Sequence, residues 1–394
     1  MSGSIKKLRV LRVSHTASLS TYRARERILV ERHPIDLVVL TAKDWPHLGF
    51  EPDEGTEPFP LHRARTMLAG NVPLFAFDPQ PLVKALKDHR PDIVDIHQEP
   101  YSVAGFEATF LATKFAANAP RIFCTAQNIQ KRYPPPFRWT EQFVYKHCVA
   151  AYMCSQEAEQ VLKRKGYRGI TELFPLGVDT RIYSPKILDD DERAKMRSEL
   201  QLGDDFVVGF FGRLEDYKGP QLLVEALSQL RKAGRPLKLL IAGSGPFIET
   251  LQSSSRAAGV ANHVHFAGSL AAAETPKFIS LCDTVAVPSL TRKTWKEQFG
   301  RVPVEAMACG VPVISSDSGS LPEVVAGAGL IVAENDAQAL AESISRLMDD
   351  LALRKQLIES GLARVKNDFS WEVIADLTYK LYQRILQPAA CPTR

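Results

Sequence analysis

Two glutamates eight positions apart, Glu297 and Glu305, stand in the stretch EQFGRVPVEAMACGVPVISSD at 297–317. Gln298, Phe299, Gly300 and Arg301 lie between them. Each carboxylate can accept hydrogen bonds from hydroxyl groups. Pro303 suits the first position of a helix, where a missing N–H costs nothing. Gly310 suits the position just past a helix end, and Pro312 forbids continuation. The spacing predicts a short helix over 303–309 with Glu305 in its first turn. A helix N-terminus presents unsatisfied N–H groups and partial positive charge, which suits a diphosphate. Together the residues describe a site for a diphosphate that carries sugars, with one carboxylate on a ribose and the other on a second sugar. Either glutamate alone reads equally as a solvated carboxylate. The glycine–aromatic loop and the Pro-to-Gly helix favour the ligand.

Other residues fit the same chemistry. The run FFGRLEDYKG (210–219) ends an apolar segment with Gly212, which allows close backbone approach, and with two cations, Arg213 and Lys218. Arginine binds a phosphate bidentately and lysine acts as a mobile point charge. Read alone, this run is a turn with solvated charges. The turn AGSGP (242–246) places Gly243 where a nucleotide could approach. In the first half, DIVDIHQEPYS (92–102) sets His97 and Glu99 after a strand-like run. Tyr22, Arg23, Arg25 and Arg27 make a basic stretch that could meet an anionic acceptor or a membrane surface, or form a solvated helix face.

The elements that must hold these groups come in two similar series. Strand-like runs occur at 8–14, 35–42, 92–97, 121–126 and 149–155, then at 205–212, 237–243, 263–268, 284–289, 311–316 and 330–333. Amphipathic stretches such as 219–234 and 336–351 separate them. Strands that alternate with helices imply parallel sheets covered on both faces. Two doubly wound α/β domains follow, with a break near LFPLGVDTRIYSP (173–185). After it, residues 186–205 read as a solvated helix. A last helix starts near 369, with Ser370 as its candidate cap. Residues 43–80, rich in proline, glycine and aromatics, read as loop with short strands.

Composition sets the outer limits. The chain has 394 residues, 45% hydrophobic and 24% charged, with a formal net charge of +4. That length suits two domains. The modest charge excludes a bulk nucleic-acid binder, which needs a clustered basic face. No apolar run approaches the roughly 20 residues of a membrane-spanning helix. The start, MSGSIKKLRVLRV, lacks a signal-peptide pattern. Six cysteines, at 124, 148, 154, 282, 309 and 391, form no C-x-x-C pair. They point to a reduced, cytoplasmic protein.

At the Glu297–Glu305 motif the sequence resembles the retaining glycosyltransferases of family 4. The stretches VEAMACGVPVISSDSGSLPEVV, FGRLEDYKG and FSWEVIADLTYKLY share that likeness. The resemblance implies a GT-B fold: two Rossmann-like parallel-sheet domains that face a central cleft. It implies an acceptor-binding domain at 1–178, a donor-binding domain at 179–370, and a helix at about 371–394 that packs back on the first domain. It implies a donor diphosphate held by Gly212, Arg213, Lys218, Gly243 and the backbone of 298–302, with Glu305 on the ribose and Glu297 near the transferred sugar. Glu297, Arg213, Lys218 and Gln127 form the catalytic set, with Gln127 where family members often carry histidine. Tyr22, Arg23, His97 and Glu99 are the acceptor-side candidates. The loop SHTASLSTYRARER lacks the glycines that family members often carry after the first strand. The implied partners are a nucleoside-diphosphate sugar and a sugar, glycolipid or other hydroxyl acceptor, with a peripheral membrane contact and no nucleic acid. No cofactor is expected. No paired-aspartate motif stands near the site, so its cations balance the charge without a metal. A nucleotide-sugar epimerase and a non-catalytic nucleotide-sugar-binding subunit are the alternatives.

Overall fold

In a computed structural model that describes residues 6–43, 45–46 and 56–387, the chain divides into two compact units, Met1–Pro175 with Trp371–Arg394 and Leu176–Ser370. Residues 1–5, part of the 43–80 stretch, the end of the 371–394 segment and Cys391 lie outside the described residues.

The first unit runs β1 (Leu8–Val13), α1 (Ala24–Arg32), β2 (Ile35–Ala42), β3 (Leu61–Ala64), β4 (Thr66–Met67), β5 (Ala76–Phe77), α2 (Pro79–His89), β6 (Ile93–Ile96), α3 (Val103–Phe115), β7 (Arg121–Thr125), α4 (Phe137–His147), β8 (Ala150–Met153), α5 (Gln156–Arg164) and β9 (Ile170–Leu173). Seven strands form a parallel sheet in the order β3-β2-β1-β6-β7-β8-β9, while β4 and β5 pair antiparallel. Strands buried on both faces read as continuous apolar runs rather than alternating ones. β1 is covered on both faces, although arginines break its apolar run: Leu11 and Val13 pack with Leu82, Leu86 and Ala108, whereas Val10 packs with Ile28 and Leu29.

The second unit runs α6 (Asp190–Glu199), β10 (Phe206–Phe211), α7 (Pro220–Lys232), β11 (Leu237–Ala242), α8 (Ile248–Ala257), β12 (Val264–Gly268), α9 (Thr275–Ser280), β13 (Thr284–Val287), α10 (Arg301–Ala308), β14 (Val313–Ser316), α11 (Leu321–Val325), β15 (Leu330–Val332), α12 (Ala337–Asp349) and α13 (Leu351–Arg364). Its parallel sheet has the order β12-β11-β10-β13-β14-β15. Leu222, Leu223 and Leu227 of α7 close one face against Val208, Phe210 and Ile241. The last helix, α14 (Trp371–Leu386), belongs to the first unit, where Ala375, Leu381 and Tyr382 pack with Val10, Leu37 and Ile93.

α6 is not the wholly solvated helix that its charge suggests. Asp189 and Glu192 form a capping box at its start, with bonds of 2.8 and 3.1 Å. Arg197 is buried and donates to the carbonyls of Gly203 (2.9 Å) and Leu281 (3.1 Å). Arg193 also donates to the Ser280 carbonyl (2.8 Å), so a charged helix can dock through arginines that satisfy loop carbonyls.

Candidate functional site

Three adjacent strands of the second unit end side by side, and their exit turns build a cavity. Gly212 donates to the Ala242 carbonyl (3.0 Å), Gly243 to the Gly268 carbonyl (2.7 Å), and Leu214 to the Ser244 carbonyl (2.9 Å). Gly243 has φ +144°, and a Cβ there would sit 1.8 Å from the Gly212 carbonyl oxygen. Only glycine permits these turns to lie so close. Above them opens a cavity of about 350 Å³ lined by Gly212, Arg213, Gly243, Ser244, Thr275 and Glu305, among others.

Glu305 reaches this cavity from α10, and the helix register differs from the predicted one. α10 begins at Arg301 after Gly300 (φ +83°), so Pro303 is its third residue and Glu305 its fifth. Proline is still tolerated there, because the first four helical N–H groups lack intrahelical partners. Glu305 therefore stands in the second turn, and burial rather than the helix dipole governs it. Burial raises its pKa above the usual carboxylate range, and Arg301, 3.4 Å away, only partly opposes that. A buried carboxylate beside a cavity gains from hydroxyl donors in that cavity.

Lys218 and Glu297 form a second group. Lys218 Nζ donates to Glu297 Oε2 at 2.7 Å and lies 4.7 Å from the centre of the Trp295 ring. Ser289 Oγ donates to the same carboxylate oxygen at 3.0 Å. The backbone that carries Glu297 is clamped by the turn before α11. Ser320 N donates to the Glu297 carbonyl (3.1 Å) and Ser320 Oγ to the Gln298 carbonyl (2.8 Å). Gly319, at φ +55°, would bring a Cβ to 2.1 Å from the Glu297 carbonyl. Gln298 and Arg213 are exposed. The Phe299 side chain is buried and meets Phe369 edge-on at 5.9 Å, so the part of this residue that can face a ligand is its backbone, as the sequence reading has it.

In the first unit the predicted acceptor residues separate. Arg23 is fully buried, with Nε on Glu57 Oε1 (2.6 Å) and Nη1 on the Ala17 carbonyl (2.7 Å). It holds a loop together and presents nothing to an acceptor. Arg25 is also buried, on Glu26 (2.9 Å) and Asp95 (3.3 Å), so the basic stretch is not a solvated face. Tyr22 remains 40% exposed. Glu99 spends both oxygens on the end of β7, accepting from Thr125 Oγ1 (2.7 Å) and from Ala126 N (2.8 Å). That geometry shapes the turn that carries Gln127. The Gln127 amide donates to the Ile129 carbonyl (2.6 Å) and accepts from the Tyr133 hydroxyl (3.1 Å).

His97 joins a buried network that the sequence reading did not find. Asp95 accepts from Arg12 (2.7 Å), Tyr152 (2.8 Å) and, from α14, Tyr382 (2.7 Å). Arg12 and Arg25 overcome burial and hold the Asp95 carboxyl down at about 2. His97 Nδ1 lies 2.9 Å from the Tyr152 hydroxyl, and burial with the two arginines lowers its pKa well below 6.5. Arg12 and Asp95 are strand partners, and both interrupt apolar runs. Charges of opposite sign inside two buried strands are the sequence signal that could have found the pair.

Among the described residues, no group of three or more histidine, cysteine, aspartate or glutamate side chains is placed to hold a metal ion, no helix is long and apolar enough to cross a membrane, and the five cysteines are free.

Two parallel-sheet units, one with a glycine-floored cavity at its strand ends, define an α/β protein of the doubly wound class. Residues 27–182 match the model of Glycosyltransferase Family 4 and residues 191–364 that of Glycosyl transferases group 1, and the chain belongs to this glycosyltransferase family. It is 39% identical over 183 residues to the GDP-mannose-dependent alpha-(1-6)-phosphatidylinositol monomannoside mannosyltransferase of Mycolicibacterium smegmatis, covering 45% of this chain and 47% of that one. It is 33% identical over 245 residues to the D-inositol 3-phosphate glycosyltransferase of Corynebacterium jeikeium, covering 58% and 56%. The chain thus spans about half the length of the curated relatives it matches. Among solved structures, Anabaena HepE in complex with UDP superposes with a TM-score of 0.73 at 19% identity, covering 96% of this chain and 100% of that one. WaaG, a glycosyltransferase involved in lipopolysaccharide biosynthesis, gives 0.64 at 16% identity, covering 96% and 100%. These likenesses establish the GT-B fold.

Proposed function

We propose that the chain is a retaining, metal-independent glycosyltransferase that moves a hexose, most simply mannose from GDP-mannose, to a hydroxyl of a glycolipid or inositol-containing acceptor. The second unit takes the donor and the first unit the acceptor. The carrying observation is the Lys218–Glu297 pair at 2.7 Å in the unit whose cavity is lined by Gly212, Arg213 and Glu305. The names of the relatives, a GDP-mannose-dependent phosphatidylinositol monomannoside mannosyltransferase and a D-inositol 3-phosphate glycosyltransferase, support the choice of substrates.

The residues assign the work as follows. Arg213 and Lys218 stabilise negative charge on the departing nucleoside diphosphate. When Lys218 turns to the phosphate it releases Glu297, whose carboxylate then accepts from hydroxyls of the transferred sugar. Glu305 accepts from the ribose. The bond from the anomeric carbon to phosphate breaks through an oxocarbenium-like state, the bond to the acceptor oxygen forms on the same face, and the acceptor proton passes to the leaving phosphate. Gln127 offers a neutral amide to a sugar hydroxyl and carries no proton. Acceptors anchored in a bilayer would bring the protein to a cytoplasmic membrane surface.

The test is product formation from GDP-mannose, UDP-glucose and ADP-glucose, with and without a phosphatidylinositol mannoside, in EDTA. Acceptor-dependent GDP release in EDTA is the expected result. Release that needs magnesium contradicts the metal-independent reading. A donor sugar converted without acceptor identifies an epimerase, and binding without turnover identifies a non-catalytic subunit.

A further inference from the structure

The proposal concerns the ends of β1 and β6 and rests on reading the first unit as the acceptor side. Val13 and Ile96 are strand partners, so the residues after them, His15 from β1 and His97 and Gln98 from β6, emerge side by side. Gln98 is 2% exposed. Its amide oxygen accepts from His15 Nδ1 at 2.8 Å, while its Nε2 has no hydrogen-bond partner. Reversing the amide would only move the unmatched atom from nitrogen to oxygen. A buried amide with one end unpaired is costly, and such groups call for a partner.

Hydrogen-bond accounting also fixes the imidazoles. The Tyr152 hydroxyl has one proton, and it goes to the ionised Asp95 carboxylate at 2.8 Å. Its oxygen accepts from Arg12 at 3.0 Å and therefore also accepts from His97 Nδ1 at 2.9 Å. His97 is protonated on Nδ1 and carries a lone pair on Nε2. With the Gln98 amide oxygen toward His15, His15 donates through Nδ1, and its Nε2 is then an acceptor as well. Burial lowers both pKa values, and charge on His15 further disfavours charge on His97, so both rings are neutral near pH 7. Trp45 and Phe75, at 4.4 and 5.1 Å, hold the His15 ring in place.

We propose that His15, His97 and Gln98 form a subsite for a neutral polyhydroxylated ring, whose hydroxyls donate to the two Nε2 atoms and accept from the Gln98 amide. Two lone pairs and one neutral donor match hydroxyls, which both give and take hydrogen bonds. They do not match phosphate, whose ionised oxygens only accept and whose charge the two neutral rings and the amide leave unbalanced.

Nitrogen NMR of the full chain with labelled histidine tests this directly. Both rings should carry their proton on Nδ1, and myo-inositol or methyl α-mannopyranoside should move both Nε2 signals, whereas inorganic phosphate should not. Gln98→Met should weaken that response at least tenfold. His97→Asn, which keeps only the Nδ1-side donor, should abolish the His15 response, and His97→Gln, which restores an acceptor near the Nε2 position, should recover it. Rings protonated on Nε2, silence toward both polyols, or a response to phosphate alone would overturn the subsite. Nucleotide binding at Arg213 and Lys218 is a separate measurement, so failure of this subsite and failure of the transferase reading are told apart.

Discussion

Glu297 and Glu305 share a motif but not an environment. Glu297 is paired to Lys218 and Ser289, whereas Glu305 is buried in a cavity wall with the exposed Arg301 3.4 Å away. The account gives them different kinetic signatures. An interaction made only in the transition state appears in turnover rather than in binding. Glu297→Gln should lower kcat by tenfold or more and leave the affinity for bare GDP within about twofold. Glu305→Gln should weaken GDP binding, by about 1–3 kcal/mol for a lost charge-assisted bond. Titration calorimetry and initial rates on the two variants check the contrast. Equal loss of GDP affinity in both would remove the assignment. That Glu305 shares a cavity with Gly212, Arg213 and Gly243 was legible in the sequence, because the turns at the strand ends carry these residue types. The burial of Arg23 and Arg25 was not. Their partners include Glu57 and Asp95, distant in sequence, and no helical period encodes a contact at that separation.

At the scale of elements, strands buried in the middle of each sheet were readable as apolar runs. β9 was not anticipated, and β3 lay in a stretch read as loop with short strands. Both are edge strands of the seven-stranded sheet, LHRA and ITEL, and an edge needs no continuous apolar run. The register of α10 escaped because Pro303 fits any position of a first turn equally well. One element contact has a pH consequence. Glu107 of α3 accepts from Phe77 N of β5 at 2.9 Å, and burial pushes its pKa up to about 7. The folded state then binds this proton more tightly than the unfolded chain does. Its contribution is fully present below the ordinary carboxylate pKa, roughly 4.3, and is lost as pH rises through about 7. Thermal unfolding from pH 5 to 8.5 should show stability falling more steeply in the wild type than in Glu107→Gln, whose amide keeps the acceptor oxygen. Parallel curves would contradict the assignment.

At the scale of the molecule, the chain leaves its first unit after residue 175 and returns to it at 371. The two crossings touch where Val178 N donates to the Phe369 carbonyl at 2.8 Å. The return is locked by Tyr382, which donates to Asp95 at 2.7 Å. Asp95→Asn should destabilise the protein by about 3–5 kcal/mol, because Arg12 and Arg25 would lose a buried counter-charge. Tyr382→Phe should cost less, about 1–3 kcal/mol, since it leaves only one acceptor site unmet. Urea unfolding followed by fluorescence measures both, and an unperturbed Asp95→Asn would show that the network is dispensable.

The central claim is that Arg213 and Lys218 of the second unit hold the donor's diphosphate. Calorimetric titration of GDP into the wild type, Arg213→Ala and Lys218→Ala tests it most directly. Each cation makes a charge-assisted contact worth roughly 1.5–3 kcal/mol, so each variant should bind GDP about tenfold more weakly or worse. Unchanged affinity in both variants would contradict the account.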